Sequence, residues 1–438
     1  MSQTFCPIPW NFQAIRSNGD IRVCCQANIS ANRGVLRKEN GQAYNAGVDS
    51  LEEARNSSLI KEIRRKMLRG EWNEECTRCK QEEEAGLNSR RIYESLQWDF
   101  NVEDAKRVTD HDGAIETQQA PVVYYDLRFG NLCNLGCRMC GPTDSSFWLE
   151  DWVKLTGRQS FQDTSGLVEI QEKAGRFSTQ AYDWHQFEDF WHQLEANLEH
   201  TQHVYMAGGE PLLIKRHYDF LEKCTTNGYA QNIILEYNTN CTKLPKKVLD
   251  YWTQFKQVRI GASVDGFGAY AEYQRYPSKW SEVFENLKIL NQQPDNILPW
   301  LAFTVTAYNI FHMADFMRWK LFESGLERIN RTHRRPIITH HVAHHPRHLN
   351  VRVLPTALKE KARMSLLEFV EEIKSSDLDE RIKKNAQEIS ESVIHYMFAE
   401  SYHEGHWMEF CKYTRRLDEI RNQSLLVLDS DFASHFVE

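Results

Sequence analysis

Several common features are missing from this 438-residue sequence, and each absence excludes a class of protein. No run approaches the roughly 18 consecutive apolar residues of a membrane span, so no membrane protein is expected. The N-terminus, Met-Ser-Gln-Thr-Phe-Cys-Pro, lacks the basic-then-apolar pattern of a secretory signal, which predicts a cytoplasmic location. The net charge of −8 is spread along the chain and argues against a nucleic-acid partner.

Cysteine, by contrast, is plentiful, with eleven residues in the chain. Most of them fall into two clusters, one spaced C-x3-C-x2-C and one that ends in C-x2-C. Such clustering favours metal ligation in a reducing compartment over a set of disulfides. The length allows two or three domains with cores of their own.

The most informative stretch is residues 121–141. An apolar, aromatic run over 122–129 predicts a buried strand, and a loop with Cys133, Cys137 and Cys140 follows it. Three thiolates cannot close a four-ligand site, but they can hold three corners of a cubane iron–sulfur cluster and leave the fourth iron open for chemistry. The alternative is three unrelated buried cysteines, which pack as small hydrophobic side chains.

This cysteine spacing resembles the signature of the radical S-adenosylmethionine (SAM) superfamily, and further segments extend the resemblance. Residues 205–211, Tyr-Met-Ala-Gly-Gly-Glu-Pro, resemble its G-G-E-P segment. Residues 233–240 resemble the next strand and its T-N-G ending, with Cys241 where glycine is usual. Residues 258–266 resemble the strand that ends in S-[IV]-D-G, and Arg275 follows its serine by twelve positions.

The resemblance implies a role for each matching residue. Cys133, Cys137 and Cys140 would hold a [4Fe–4S] cluster whose fourth iron is chelated by SAM. A glycine pair lets the backbone approach the methionine amino group, and an arginine fork suits its carboxylate. The cofactor-binding residues expected in this way are Met139, Gly208, Gly209, Glu210, Asn238, Asn240, Ser263, Asp265 and Arg275.

The implied activity is reductive cleavage of SAM to a 5′-deoxyadenosyl radical that abstracts a hydrogen from a substrate, with a flavodoxin- or ferredoxin-type electron donor. We predict a peptide or protein substrate, as in maturation of a ribosomally made peptide, although no separate peptide-recognition domain stands out. The alternatives are a small molecule such as a sugar, nucleoside or amino acid, or a non-catalytic iron–sulfur scaffold or sensor.

The second cysteine cluster lies in residues 1–86. Cys6, a predicted hairpin that ends in Cys24 and Cys25, a predicted helix over 50–68, and then Cys76 and Cys79 together suit a four-cysteine site for zinc or an iron–sulfur cluster. The pattern resembles the SPASM or twitch modules of radical SAM enzymes, which implies an auxiliary [4Fe–4S] cluster. We predict Cys6, Cys24, Cys76 and Cys79 as its ligands, although neighbours on a strand point in opposite directions and Cys25 stays an alternative to Cys24.

The predicted fold class is α/β: a partial (β/α)6 radical SAM barrel with an N-terminal Cys-rich α+β module and a C-terminal helical region. Strands are predicted near 122–129, 203–207, 232–239, 257–263, 300–306 and 336–342. The predicted domains are the module at 1–90, a linker at 91–120, the core at 121–345 and a helical cap at 346–438, whose apolar stripe comprises Leu366, Leu367, Phe369, Val370 and Ile373.

Residues 331–352 contain six histidines and five arginines. Three interpretations stay open for this stretch: a strand and loop with solvated basic tips, a contact for an anionic substrate or peptide carboxylate, or a third metal site.

Overall fold

The computed structural model describes residues 4–27, 33–156 and 182–436. These residues form eight β-strands: β1 (Phe12–Ile15), β2 (Ile21–Arg22), β3 (Tyr124–Phe129), β4 (His203–Gly208), β5 (Ile234–Thr239), β6 (Gln257–Ser263), β7 (Ile297–Val305) and β8 (Thr339–Val342). All six predicted strands are present. Helices and short turns separate the strands from β3 onward, as the predicted α/β class requires.

The α-helices of four residues or more in the described chain are Ile8–Asn11, Leu51–Ala54, Ser58–Leu68, Thr77–Glu84, Arg90–Gln97, Val102–Val108, Trp148–Thr156, Glu188–Glu195, Lys215–Thr226, Lys246–Trp252, Ala269–Gln274, Trp280–Asn291, Met313–Arg318, Thr356–Lys374, Glu380–Phe398, Glu404–Arg421 and Leu425–Leu428. None of these helices is long and apolar enough to cross a membrane.

The described chain divides into two compact units. The first contains residues 4–132 together with 182–237 and 250–257, and the second contains 133–156, 238–249 and 258–436. These ranges do not follow the predicted domain boundaries, which stay a prediction.

In the first unit the strands lie in the order β2-β1-β3-β4-β5. The predicted hairpin is present: β1 pairs with β2 antiparallel, and Gly19 takes the positive φ of 86° that its turn needs. β1 also runs parallel to β3, with Phe12 opposite Tyr124, so the N-terminal segment extends the sheet of the core. The sequence did not indicate this pairing. β3, β4 and β5 continue in parallel.

The N-terminal helical segment is present but interrupted, as helices Leu51–Ala54 and Ser58–Leu68. Because the break shifts the helical phase, Ile60 is buried at 3% exposure, whereas Leu59, which the periodicity placed on the apolar face, is only half-buried. The segment predicted as a linker contains the two helices Arg90–Gln97 and Val102–Val108.

In the second unit β6, β7 and β8 are parallel neighbours, and exposure alternates along β7 from buried to half-buried. The C-terminal region is helical, as predicted. In helix Thr356–Lys374 the buried positions Leu366, Phe369, Val370 and Ile373 follow the i, i+3, i+4, i+7 pattern of one face. The assignment of Leu367 to this stripe was wrong: the residue falls off that face and is 38% exposed.

The histidine- and arginine-rich stretch supplies β8 and packs on helix Glu380–Phe398. His340 Nε2 lies 3.0 Å from Ser392 Oγ, and His344 Nδ1 lies 3.0 Å from the Tyr396 hydroxyl. These two histidines are therefore bonded to a neighbouring helix.

Candidate metal centres

The predicted cluster ligands share one loop between β3 and helix Trp148–Thr156. Cys137 is 5% exposed, and Cys133 and Cys140 are partly exposed. A hydrogen bond from the Cys140 thiol lowers the pKa of Cys137, although burial opposes this, and the same bond raises the pKa of Cys140. Cys137 is thus the thiol of this pair that loses its proton more readily, which favours ligation because metal ligands must be deprotonated.

Backbone bonds hold this loop in place within the second unit. The Trp148 indole donates to the Cys137 carbonyl at 2.8 Å. The Gly136 amide donates to the Tyr276 carbonyl at 2.7 Å, and the Arg138 amide donates to the Gln274 carbonyl at 2.8 Å. The loop is therefore tied to the segment just before and after Arg275, the residue predicted to meet the SAM carboxylate.

Arg275 itself reaches the cysteine loop. Its Nη1 lies 3.7 Å from Cys137 Sγ, and its Nη2 lies 2.7 Å from Asp265 Oδ2. Asp265 is fully buried, and its Oδ1 accepts from the Thr304 amide at 2.7 Å. Burial raises the pKa of Asp265, and the Arg275 charge opposes that rise. The carboxylate thus fixes one edge of the guanidinium and leaves another edge directed at the cluster ligand.

Asn240 also approaches a predicted ligand. Its Nδ2 lies 3.8 Å from Cys133 Sγ and donates to Asn134 Oδ1 at 3.0 Å. Asn238, two residues earlier, is exposed, and its Oδ1 lies against Gly261, where a Cβ would collide with it. Cys241 has a positive φ of 56°, a backbone conformation that favours glycine and so accounts for glycine at this position in the family.

In the first unit β4 ends at Gly208, and Gly209 and Glu210 follow directly. Gly208 has a φ of 113°, and a Cβ on Gly209 would collide with the Leu132 carbonyl. The Gly209 amide donates to the Gly130 carbonyl at 3.1 Å, and the Glu210 amide donates to the Leu132 carbonyl at 2.8 Å. Both glycines are therefore needed for close backbone approach to the segment that leads into Cys133.

The four predicted auxiliary ligands border one small cavity in the first unit. Cys6, Cys24, Cys76 and Cys79 all line it, and Cys25 does not. Burial is the largest influence on these thiols: it raises the pKa of Cys76 to about 12 and also raises the pKa of Cys6, Cys24 and Cys79. A cationic metal group would offset the cost of ionising four adjacent thiols, so the residues present fit such a group.

A single zinc ion fits these residues less well. Four thiolates around zinc, with Zn–S bonds of about 2.3 Å, would lie about 3.8 Å apart. Across the residues that the structure describes, no three Cys, His, Asp or Glu side chains are placed to hold one metal ion. A cluster core is larger than a single ion and would occupy the cavity that the four cysteines line.

The sequence analysis did not predict a polar face on the sheet of the first unit. The register of β3, β4 and β5 places Asp126, Arg128, His203, Tyr205 and Glu236 on the same face of the sheet. Arg128 Nε lies 3.0 Å from Asp126 Oδ1, and His203 Nε2 lies 3.2 Å from Glu236 Oε2. Alternation along Tyr124–Phe129 carried this signal, because Asp126 and Arg128 fall two positions apart.

Comparison with known families decides the assignment. Residues 127–297 match the Radical SAM superfamily, and residues 6–80 match SPASM, an iron–sulfur cluster-binding domain. Residues 127–297 are therefore assigned to a radical SAM domain, and residues 6–80 to a SPASM domain. The SPASM domain lies N-terminal to the radical SAM domain, which confirms the predicted order. The cofactors of this chain are SAM and iron–sulfur clusters, in the core and in the SPASM domain.

Solved structures give only weak likenesses. Streptococcus suis SuiB bound to S-adenosylmethionine is 9% identical over 69% of this chain and 59% of that chain, with a TM-score of 0.32. SuiB bound to the precursor peptide SuiA is 12% identical over 55% and 49%, with a TM-score of 0.27. TYW1 with a lysine–pyruvate adduct is 15% identical over 57% and 74%, with a TM-score of 0.28.

These scores are too low to argue from, and this chain spans less than two thirds of the SuiB chains that it matches. A search of curated proteins found no match.

Proposed function

We propose that this enzyme holds its SAM-cleaving cluster on Cys133, Cys137 and Cys140 and modifies a peptide or protein. The approach of Arg275 to Cys137 Sγ at 3.7 Å carries the first part, because it joins a predicted SAM contact to a predicted cluster ligand. When bound, the cluster and SAM supply reductive cleavage of SAM and abstraction of a hydrogen from the substrate.

The residues around the loop would orient SAM. Asp265 holds Arg275, so the guanidinium is already placed to donate to the SAM carboxylate, with the Ser263 hydroxyl as a further donor. Asn238 or Asn240 would bind the ribose hydroxyls, and of the two Asn238 is the exposed residue.

The remaining assignments follow the same logic. Gly208, Gly209 and Glu210 would meet the methionine amino group, and the partly exposed Met139 would contact SAM beside the cluster ligands. Cys6, Cys24, Cys76 and Cys79 would hold the auxiliary cluster. A flavodoxin- or ferredoxin-type protein would supply the electron.

The first experiment tests the cluster and its ligands. The protein is reconstituted anaerobically, iron and sulfide are counted, and 5′-deoxyadenosine is measured after addition of reductant and SAM. We expect about eight irons, and loss of 5′-deoxyadenosine in Cys137→Ala. Cys224→Ala is the matched control, since Cys224 is fully buried in helix Lys215–Thr226 and belongs to neither cysteine cluster. Equal 5′-deoxyadenosine from wild type and Cys137→Ala would refute the assignment.

The SPASM domain at residues 6–80 supports a peptide substrate, since the resemblance to SPASM and twitch enzymes implies modification of peptides or proteins. A deuterated cell extract, separated by size into peptides and small molecules, tests this. Hydrogen abstraction transfers deuterium into 5′-deoxyadenosine, whereas cleavage of SAM without substrate does not. Deuterium delivered only by the peptide fraction is expected, and delivery only by the small-molecule fraction would overturn the proposal.

A small polar molecule is the second candidate, and the charged face of the first unit favours it. Asp126 is 6% exposed and His203 is 4% exposed, and both face the same side of the sheet as Arg128. Buried charges in paired arrangements are costly and suit recognition of a polar ligand more than an apolar side chain. Loss of deuterium transfer in Arg128→Met, with 5′-deoxyadenosine formation retained, would place the substrate at this face.

A further inference from the structure

Arg421, the last residue of helix Glu404–Arg421, lies against the cysteine loop of the same unit. An ideal Cβ on Gly136, the residue before Cys137, would be only 2.7 Å from Arg421 Nη2. The guanidinium also lies 4.4 Å from the centroid of the Trp148 ring, whose indole donates to the Cys137 carbonyl. A charged group from the C-terminal helix is thus packed directly behind a predicted cluster ligand.

The guanidinium packs on the rings of Trp148 and Tyr276, but only one of its edges has a hydrogen-bond partner among the described residues. Arg421 Nε donates to Asp151 Oδ2 at 2.8 Å. Nη1 and Nη2 are buried and have no hydrogen-bond partner among the described residues, and the residue is 5% exposed. Buried donors without an acceptor are unfavourable, so the place of Nη1 and Nη2 beside the loop suits a further anionic group besides Asp151.

The direction of the guanidinium identifies that group. Asp151 contacts Nε, whereas Nη2 is the atom nearest Gly136. An iron–sulfur cluster with thiolate ligands carries negative charge, and nearby cations or N–H donors raise its reduction potential.

We propose that Arg421 is a positioning residue whose buried cation, held behind Gly136 and Cys137, raises the reduction potential of the SAM-binding cluster. The proposal rests on the assignment of Cys133, Cys137 and Cys140 as its ligands. The C-terminal helix would then be part of the cluster environment, because it eases the one-electron reduction that starts the reaction.

The test is a redox titration of the reconstituted full-length protein, followed by electron paramagnetic resonance. The signal that changes on addition of SAM identifies the cluster in question and separates it from the auxiliary one. We compare wild type with Arg421→Met and Arg421→Lys, and iron and sulfide are counted in each. Arg416→Met is the matched control, because Arg416 lies on the same helix and is exposed.

We expect Arg421→Met to lower the potential, so that the ratio of reduced to oxidised cluster at a fixed ambient potential falls about tenfold, or about 59 mV for one electron. Arg421→Lys keeps the charge and should stay close to wild type, as should Arg416→Met. An unchanged potential in Arg421→Met with a full iron count would overturn the proposal, since Arg421 would then serve packing alone.

If Arg421→Met fails to bind iron, the Asp151→Asn variant tests whether the Arg421 charge affects the potential of the cluster. This variant leaves the Arg421 charge unopposed and should raise the potential, and an unchanged or lower value would overturn the proposal. Absence of the SAM-responsive signal in wild type would instead refute the ligand assignment, which separates the two failures.

Discussion

Arg138 and Asp418 form a buried ion pair between residues that lie 280 positions apart in the sequence. Arg138 belongs to the cysteine loop, and Asp418 belongs to helix Glu404–Arg421. The guanidinium lies 3.6 Å from the centroid of the Tyr273 ring, and the Tyr273 hydroxyl donates to the same carboxylate at 2.9 Å. Arg138 has no exposed surface. The helix therefore fixes the conformation of the loop that carries the predicted cluster ligands.

Breaking this pair should destabilise the protein strongly. Arg138→Met or Asp418→Leu alone should lower the free energy of unfolding by about 3–5 kcal/mol, because each leaves a buried charge without its partner. The double variant should recover most of the loss, since replacing a whole buried pair by apolar groups is often nearly neutral. Guanidinium denaturation of the full chain measures both.

Arg416→Met, on the exposed side of the same helix, should stay within about 0.5 kcal/mol of wild type. Single variants no less stable than this control would show that the pair contributes nothing.

The cavity of the SPASM domain predicts different roles for two adjacent cysteines. Cys24 lines the cavity with Cys6, Cys76 and Cys79, whereas Cys25 does not. Cys24→Ala should therefore lower the iron content from about eight to about four per chain, and Cys25→Ala should leave it unchanged. Iron and sulfide analysis after anaerobic reconstitution gives the answer. The reverse pattern would make Cys25 the ligand, and zinc in place of the lost iron would indicate a different metal.

A buried histidine predicts how stability depends on pH. His217 has no exposed surface, and its Nε2 lies 2.8 Å from the Tyr237 hydroxyl. Burial lowers the pKa of His217 to about 3, against about 6.5 in the unfolded chain. Below pH 6.5 His217 is therefore protonated in the unfolded chain but stays neutral in the folded protein. The free energy of unfolding then falls as the pH drops from 6.5 towards 3.

At pH 5 this histidine should lower the free energy of unfolding by about 2 kcal/mol. That pH lies 1.5 units below the pKa in the unfolded chain, and each unit is worth about 1.36 kcal/mol. His217→Gln removes the titrating group, so the difference in unfolding free energy between pH 7 and pH 5 should shrink by about 2 kcal/mol. His111→Gln is the control, because the His111 side chain is 89% exposed. Equal slopes for both variants would show that His217 is not the group responsible.

The sequence was informative wherever a signal is local. The six strands of the core and the cysteine loop were predictable because short apolar runs and turn residues specify them directly. The parallel pairing of β1 with β3 was not predictable. More than 100 residues separate the two strands, and the sequence of a strand does not identify the strand with which it pairs.

The site was predictable to the same extent. Matching motifs gave the cysteines, Asp265 and Arg275, and the contact of Arg275 with Cys137 brings two of the predicted positions together. Arg138 and Arg421 carried no signal, because an arginine is usually a solvated surface residue and its burial depends on distant partners. Leu367 is an apolar residue that was predicted to be buried and is exposed, so apolarity alone did not identify the buried face of its helix.

Gly136 leaves the space that Arg421 occupies, and this predicts the effect of a single methyl group. A Cβ on Gly136 would lie 2.7 Å from Arg421 Nη2 and 3.0 Å from Phe147 Cδ1. Gly136→Ala should therefore displace the guanidinium and lower the free energy of unfolding by about 1–3 kcal/mol. Gly141→Ala, in the same loop, is the matched control, because a Cβ there would meet nothing within 4 Å.

Coupling to Arg421 decides which neighbour the methyl group displaces. In an Arg421→Ala background the vacated space can take the methyl, so Gly136→Ala should then cost about 0.5 kcal/mol or less. Residues in contact show interaction energies of about 0.5–3 kcal/mol, which a double-mutant cycle resolves. The cycle is measured by denaturation of the metal-free protein, so that iron loading does not contribute. Additive losses would show that Gly136 is required by the Phe147 ring, and that the guanidinium does not depend on this glycine.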